Sequence, residues 1–160
     1  MKLPDRFITA LHKRLETVSA SRDPDIIIGG NDKPYLKRWY VIPRNRWLNV
    51  YLHQFLRSDD DRALHDHPWV NCSILLANEY TEVLPTIGAT TTSRILRPGS
   101  VVFRRPRAAH RVLLHAGPAV TLFLTGPRIR EWGFWCPQGW RHWEDFTAGH
   151  RGEIVGKGCE

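Results

Sequence analysis

Apolar side chains at Phe7, Ile8, Leu11, Leu15 and Val18 recur at spacings of three and four, which predicts an amphipathic helix over residues 4–20. Pro4 sits near its first turn, and the run Ser19-Ala-Ser-Arg-Asp-Pro24 ends it. A single apolar stripe implies that this helix packs on the outside of a larger body. After a turn region at 25–32 containing Gly29-Gly30, strands are predicted over 35–42, 48–55, 70–76, 80–84, 90–96, 101–103, 111–114 and 120–124. Turn signals separate them at intervals of about ten residues: Arg44-Asn45, Ser58-Asp-Asp-Asp61, Pro85-Thr-Ile-Gly88, Pro98-Gly99 and Gly117-Pro118. Short strands punctuated in this way predict an all-β sandwich or barrel.

No repeat, low-complexity run or linker divides the chain, so its 160 residues are read as one domain. The helix occupies about 4–20, the barrel about 35–127 and an aromatic extension about 128–148. Residues 149–160, polar and glycine-rich, are expected to fray. A composition of 42% apolar and 24% charged residues is that of an ordinary globular protein. No apolar run approaches the roughly 18 residues of a membrane span. The start, Met1-Lys-Leu-Pro-Asp-Arg-Phe7, lacks the apolar stretch of a signal peptide. Three cysteines, Cys72, Cys136 and Cys159, form no C-x-x-C, so no disulfide framework is expected and a reducing cytoplasm is the assigned compartment. The net charge of +7 raises nucleic acid as a partner, with Arg104, Arg105, Arg107, Arg128 and Arg130 as a patch. No helix-turn-helix, zinc finger or basic helix accompanies that charge, and an anionic small molecule accounts for inward-facing arginines equally well.

The candidate chemistry lies in His65-Asp66-His67 and, 43 residues beyond His67, in His110-Arg111-Val112. An H-x-H on an extended segment places both imidazoles on one face, because strand side chains alternate. A third histidine from a distant strand completes a facial site of three nitrogens. Imidazole is a preferred ligand of zinc, iron, copper and nickel. Three neutral ligands leave the charge of a divalent ion uncompensated, which favours an anionic substrate.

Leu96-Arg-Pro-Gly-Ser-Val-Val-Phe103, leading through Arg104-Arg-Pro106 to His110-Arg-Val112, resembles the second motif of the cupin superfamily. His65-x-His67, entering the strand at 70–76, resembles the first. The resemblance covers roughly residues 47–127 and implies an antiparallel double-sheet barrel, or jelly roll, with a metal on His65, His67 and His110. The broad cupin pattern carries a glutamate four or five residues after the second histidine; Asn71 and Cys72 stand there instead. Strand parity points Asn71 to the face of the histidines, so either its amide oxygen is a fourth ligand or the site has three. Parity sends Cys72 into packing between the sheets. His67 followed by Cys72, together with Ala119-Val-Thr-Leu-Phe-Leu124, is similar to the three-histidine thiol dioxygenases, cupins that hold ferrous iron. That resemblance implies that Arg38, on a strand well before the H-x-H, holds a substrate carboxylate. Thr125 stands where relatives with a cysteine–tyrosine crosslink have a tyrosine, and Phe123 where a second-sphere histidine is expected.

Other candidates surround this core. His53, in Tyr51-Leu-His-Gln-Phe55, is the residue available as a general base, with Tyr51 beside it against the substrate. Arg104 is a second candidate for holding an anion. Glu79 and Glu82 are read as solvent-facing, and Asp59-Asp-Asp61 as a solvated turn. The stretch from Glu131 to Phe146 holds four of the seven tryptophans, which cap a barrel end, fill a homodimer interface or form a wall for substrate. The reading that results is a non-haem iron oxygenase of a small anionic molecule, with zinc, manganese or nickel as alternative metals. A metal-assisted isomerase, epimerase or hydrolase, and a metal-dependent binding module, are its rivals.

Overall fold

The computed structural model describes residues 1–59, 63–88, 90–148 and 154–160. The first helix, α1 (Asp5–Ser21), begins after Pro4, whose carbonyl accepts from Phe7 and Ile8, and ends before the extended Arg22. Strands follow as β1 (Ile26–Ile28), β2 (Leu36–Tyr40), β3 (Asn49–Phe55), β4 (Leu64–His65), β5 (Asn71–Ala77), β6 (Tyr80–Pro85), β7 (Thr91–Leu96), β8 (Val101–Arg104), β9 (Arg111–Leu114) and β10 (Ala119–Thr125). The C-terminal lobe adds β11 (Gly133–Cys136), β12 (Gly139–His142), the short α2 (Trp143–Phe146), β13 (Thr147–Ala148) and β14 (Ile154–Val155).

The large sheet runs β1-β2-β3-β10-β5-β8 and the opposing sheet β7-β6-β9, all antiparallel. A third ribbon, β12-β11-β4, joins the second sheet where His65 and His110 exchange both backbone hydrogen bonds at 2.9 Å. Between the sheets, Leu75, Tyr80, Leu96, Val102, Val112 and Ala119 form the barrel core. Alternation along β5 turns Leu75 inward and Leu76 outward, to a second cluster in which Ile8 and Leu15 of α1 cover Trp39 and Leu52. The expected double-sheet barrel with an external N-terminal helix is therefore what the chain forms. No helix among the described residues is long and apolar enough to cross a membrane.

Four expectations are corrected. Ile26–Ile28, read as part of a turn, pairs in register with β2, because three β-branched residues precede a left-handed turn at Gly29 (φ 93°). The end of the chain does not simply fray: Ile154–Val155 pairs with Thr147–Ala148, while 149–153 lie outside the described residues. Cys136 and Cys159, for which no pairing was expected, are disulfide-bonded, since the lobe folds the chain end back onto β11. Cys72 does not point between the sheets: it faces outward opposite Phe103, beyond the cover of α1, half-buried and with its thiol pushed up by burial.

Candidate metal centre

The three histidines reach one place by backbone pairing. Asp66 donates its backbone N–H to Gly133 at 3.0 Å and His67 donates to Pro106 at 3.0 Å, which holds the H-x-H extended between β11 and the loop before His110. His65 and His67 therefore face one way and Asp66 the other. The ligand nitrogens of His65, His67 and His110 all lie within 4.8 Å of one another, and His67 Nε2 is 2.9 Å from His110 Nε2. Imidazoles at about 2.1 Å from one ion and at right angles have nitrogens about 3 Å apart, which is the spacing of His67 and His110, with a His65 nitrogen near enough to complete a three-nitrogen donor set for a divalent metal.

Two buried carboxylates stand behind these rings, and both overturn the solvent-facing reading. Glu82 is 0% exposed: Oε1 lies 3.0 Å from His110 Nδ1, a close charge contact, and also accepts from Arg104, while Oε2 pairs with Arg94 at 2.6 Å. Asp59 accepts from the Tyr35 hydroxyl and, at 2.7 Å, from the Val112 amide, with His65 Nδ1 at 3.7 Å. Glu82 sits on the central strand of its sheet, two residues after the core-facing Tyr80, so its parity was readable. Nothing local distinguished Asp59 from its acidic neighbours. Glu79, by contrast, is half-buried at the surface, where it pairs with Arg97 and His115.

Charge and burial set the protonation of the cluster. Burial would raise the Glu82 carboxyl, but hydrogen bonding to His110 and the Arg104 guanidinium outweigh it and hold it well below the usual carboxylate range. Burial, reinforced by Arg104, lowers His110 to about 4 against the pull of Glu82. Burial and the neighbouring rings likewise push His67 well down. Both imidazoles are thus neutral at neutral pH, as metal ligands must be.

Arg104 is 5% exposed and tied to Glu82, with Nη1 3.5 Å from Asn71 Oδ1. It lines the cleft, but its donors are engaged by Glu82 and Asn71. Asn71 faces inward, as parity predicts, but its Oδ1 is turned to Arg104 and its Nδ2 has no partner among the described residues. Arg38 stands differently. Its Nε donates to His53 Nε2 at 2.8 Å, its guanidinium carbon lies 4.9 Å from the Tyr51 ring centroid, and no carboxylate among the described residues pairs with it. His53 is stacked between Tyr51 (5.8 Å) and Phe123 (5.0 Å), and Phe123 lies 5.9 Å from His67. Burial, then the charge of Arg38, pushes His53 well below its ordinary value. Arg38, His53 and the three histidines line one cleft of about 1560 Å³, whereas Tyr51 lies behind Arg38, off the cleft surface.

Asp66, given no role by the sequence, is 0% exposed and holds the C-terminal lobe. Its Oδ1 accepts from Gly133 N (3.0 Å) and pairs with Arg130 (2.9 Å); its Oδ2 accepts from the indoles of Trp140 (3.1 Å) and Trp135 (3.3 Å). A Cβ at Gly133 would overlap the Arg141 carbonyl, so only glycine permits this approach. The residue between the two histidines thus anchors β11 beside them.

No protein-family model and no curated protein matches the sequence. Solved structures do resemble the fold. The DMSP lyase DddQ from Ruegeria pomeroyi DSS-3 superposes with a TM-score of 0.56 at 18% identity, over 76% of this chain and 64% of that one. Fe(II) HppE in complex with substrate gives 0.53 at 14%, over 66% and 57%. A Klebsiella pneumoniae protein with a double-stranded β-helix domain gives 0.50 at 13%, over 68% and 90%. The chain has a double-stranded β-helix fold. It spans less than two thirds of the length of the first two of these proteins.

Proposed function

We propose that this chain is a metal-dependent cupin enzyme that holds ferrous iron on His65, His67 and His110 and oxygenates a small anionic substrate. The carrying observation is the convergence of three imidazoles in a cleft that also presents the Arg38 guanidinium, which has no carboxylate partner among the described residues. Bound ferrous iron supplies open coordination positions and redox chemistry at this point. The chain's own residues do the rest. Glu82 orients His110 from behind, and a guanidinium fixed by His53 orients the acid by paired hydrogen bonds. Fe(II) HppE shares the fold, which supports iron, and the thiol-dioxygenase-like motif spacing points the same way.

An isomerase or hydrolase needs a poised base near the metal. His53 is the base the sequence offers, and its Nε2 lone pair already accepts from Arg38. That occupancy favours oxygenation and makes His53 a positioning residue for Arg38. Protein reconstituted anaerobically with Fe(II) should consume dioxygen only when a true substrate from a panel of small acids, thiol carboxylates included, is present. Arg38→Gln should raise KM roughly 30-fold or more, the scale of a lost charge-assisted pair. Zinc as the co-purifying metal with no uptake across the panel would contradict the proposal.

A further inference from the structure

The aromatic lobe does more than close the barrel. Trp132, Phe134, Trp143 and Phe146 line the same cleft as Arg38 and His53. Phe134 stacks on Phe146 at 3.7 Å and lies 5.6 Å from Trp132, which in turn lies 5.8 Å from Trp143 with the planes 4° apart. This continuous surface starts at the metal centre, because Phe134 is paired with His65 in register, with their rings 6.1 Å apart. Phe134 and Phe146 are buried in the lobe's own core, while Trp132 and Trp143 are half-buried and line the cleft. The Asp66 clamp fixes the whole wall relative to His65 and His67.

The cleft, at about 1560 Å³, exceeds what an acid of two or three carbons can fill. One part of it carries a guanidinium with no carboxylate partner among the described residues and another an aromatic wall, with the three histidines in the same space. Resting on the metal-centre reading above, we propose that the substrate is a carboxylic acid with a planar apolar body. Its carboxylate pairs with Arg38, and its ring or conjugated segment lies on Trp132, Phe134 and Trp143. Offset stacking supplies the second anchor, so that charge and ring together orient the molecule across the metal position.

The test is a calorimetric and tryptophan-fluorescence titration of the full chain with 3-phenylpropionate and with butanoate, metal-loaded and metal-free. The aryl acid should bind at least about tenfold tighter and quench the indole emission. Trp143→Leu should remove about tenfold of that preference, the scale of one aromatic contact, while butanoate affinity and metal content stay unchanged. Equal affinity for the two acids in the wild type overturns the inference. So does a preference that survives Trp143→Leu in a variant with an unchanged thermal melt. If that variant does not fold, the wild type decides: quenching together with upfield shifts of the ligand's ring protons supports the wall, and absence of both overturns it. Failure of the wild type to bind metal would count against the three-histidine reading instead, since the metal-free titrations still decide this one.

Discussion

At the residue scale, each imidazole is useful only if one nitrogen is free and the ring cannot turn. Glu82 provides this for His110: a carboxylate at Nδ1 leaves Nε2 for the metal. Glu82→Gln should weaken metal binding 10–100-fold, read by chelator competition, the usual scale for an outer-shell carboxylate. Unchanged affinity would show that the His110 ring is held by packing alone. His53 gives a prediction about pH. Its folded value is depressed while the unfolded chain titrates near 6.5, so below that pH the unfolded state binds the extra proton and stability falls. The contribution is whole above about 6.5 and is lost, at up to about 1.4 kcal/mol per pH unit, as pH drops toward the folded value. His53→Gln keeps an acceptor for Arg38 without titrating. Urea melts of metal-stripped protein between pH 7 and 5 should therefore show the steeper loss in the wild type; parallel curves would refute the buried neutral histidine.

At the element scale, α1 is bound to the barrel by Ile8 and Leu15 over Trp39, Leu52 and Leu76. Leu15→Ala removes the buried isopropyl group beyond Cβ and should cost about 2–4 kcal/mol in a urea melt, with metal affinity unchanged. A cost under 0.5 kcal/mol, the range of surface substitutions, would mean that the helix is not docked. Elements of this kind were legible. The 3.6-residue stripe of α1 and the alternation of β3, β6 and β10 are strong local signals, and observed bounds such as Asn49–Phe55 and Ala119–Thr125 fall within a residue of the expected ones. The two-residue β4 and the lobe strands carry no period to read. Their register is imposed by Asp66, whose partners lie more than 60 residues away in sequence. The H-x-H and His110 could be picked out by parity and spacing, and the inward parity of Glu82 on β6 was open to the same reading, whereas Asp59 acquires its position only through tertiary pairing.

At the scale of the whole molecule, the charge of +7 and the cleft tell one story. Glu82 neutralises Arg104 inside the barrel, and Arg38 remains without a carboxylate partner among the described residues, beside a site whose ligands are uncharged. A divalent ion there would add to the positive field rather than cancel it, which is why the proposed substrate is an anion and no basic surface motif is needed to attract it. The proposed function depends on one ion held by three histidines. The direct measurement is metal content per chain by mass spectrometry, on wild-type protein and on His65→Ala, His67→Ala and His110→Ala, each shown to be folded. The account predicts one tightly held divalent metal per wild-type chain and loss of stoichiometric binding in all three variants. A folded wild type that holds no metal after incubation with Fe(II), or a variant that retains a full equivalent, would contradict it.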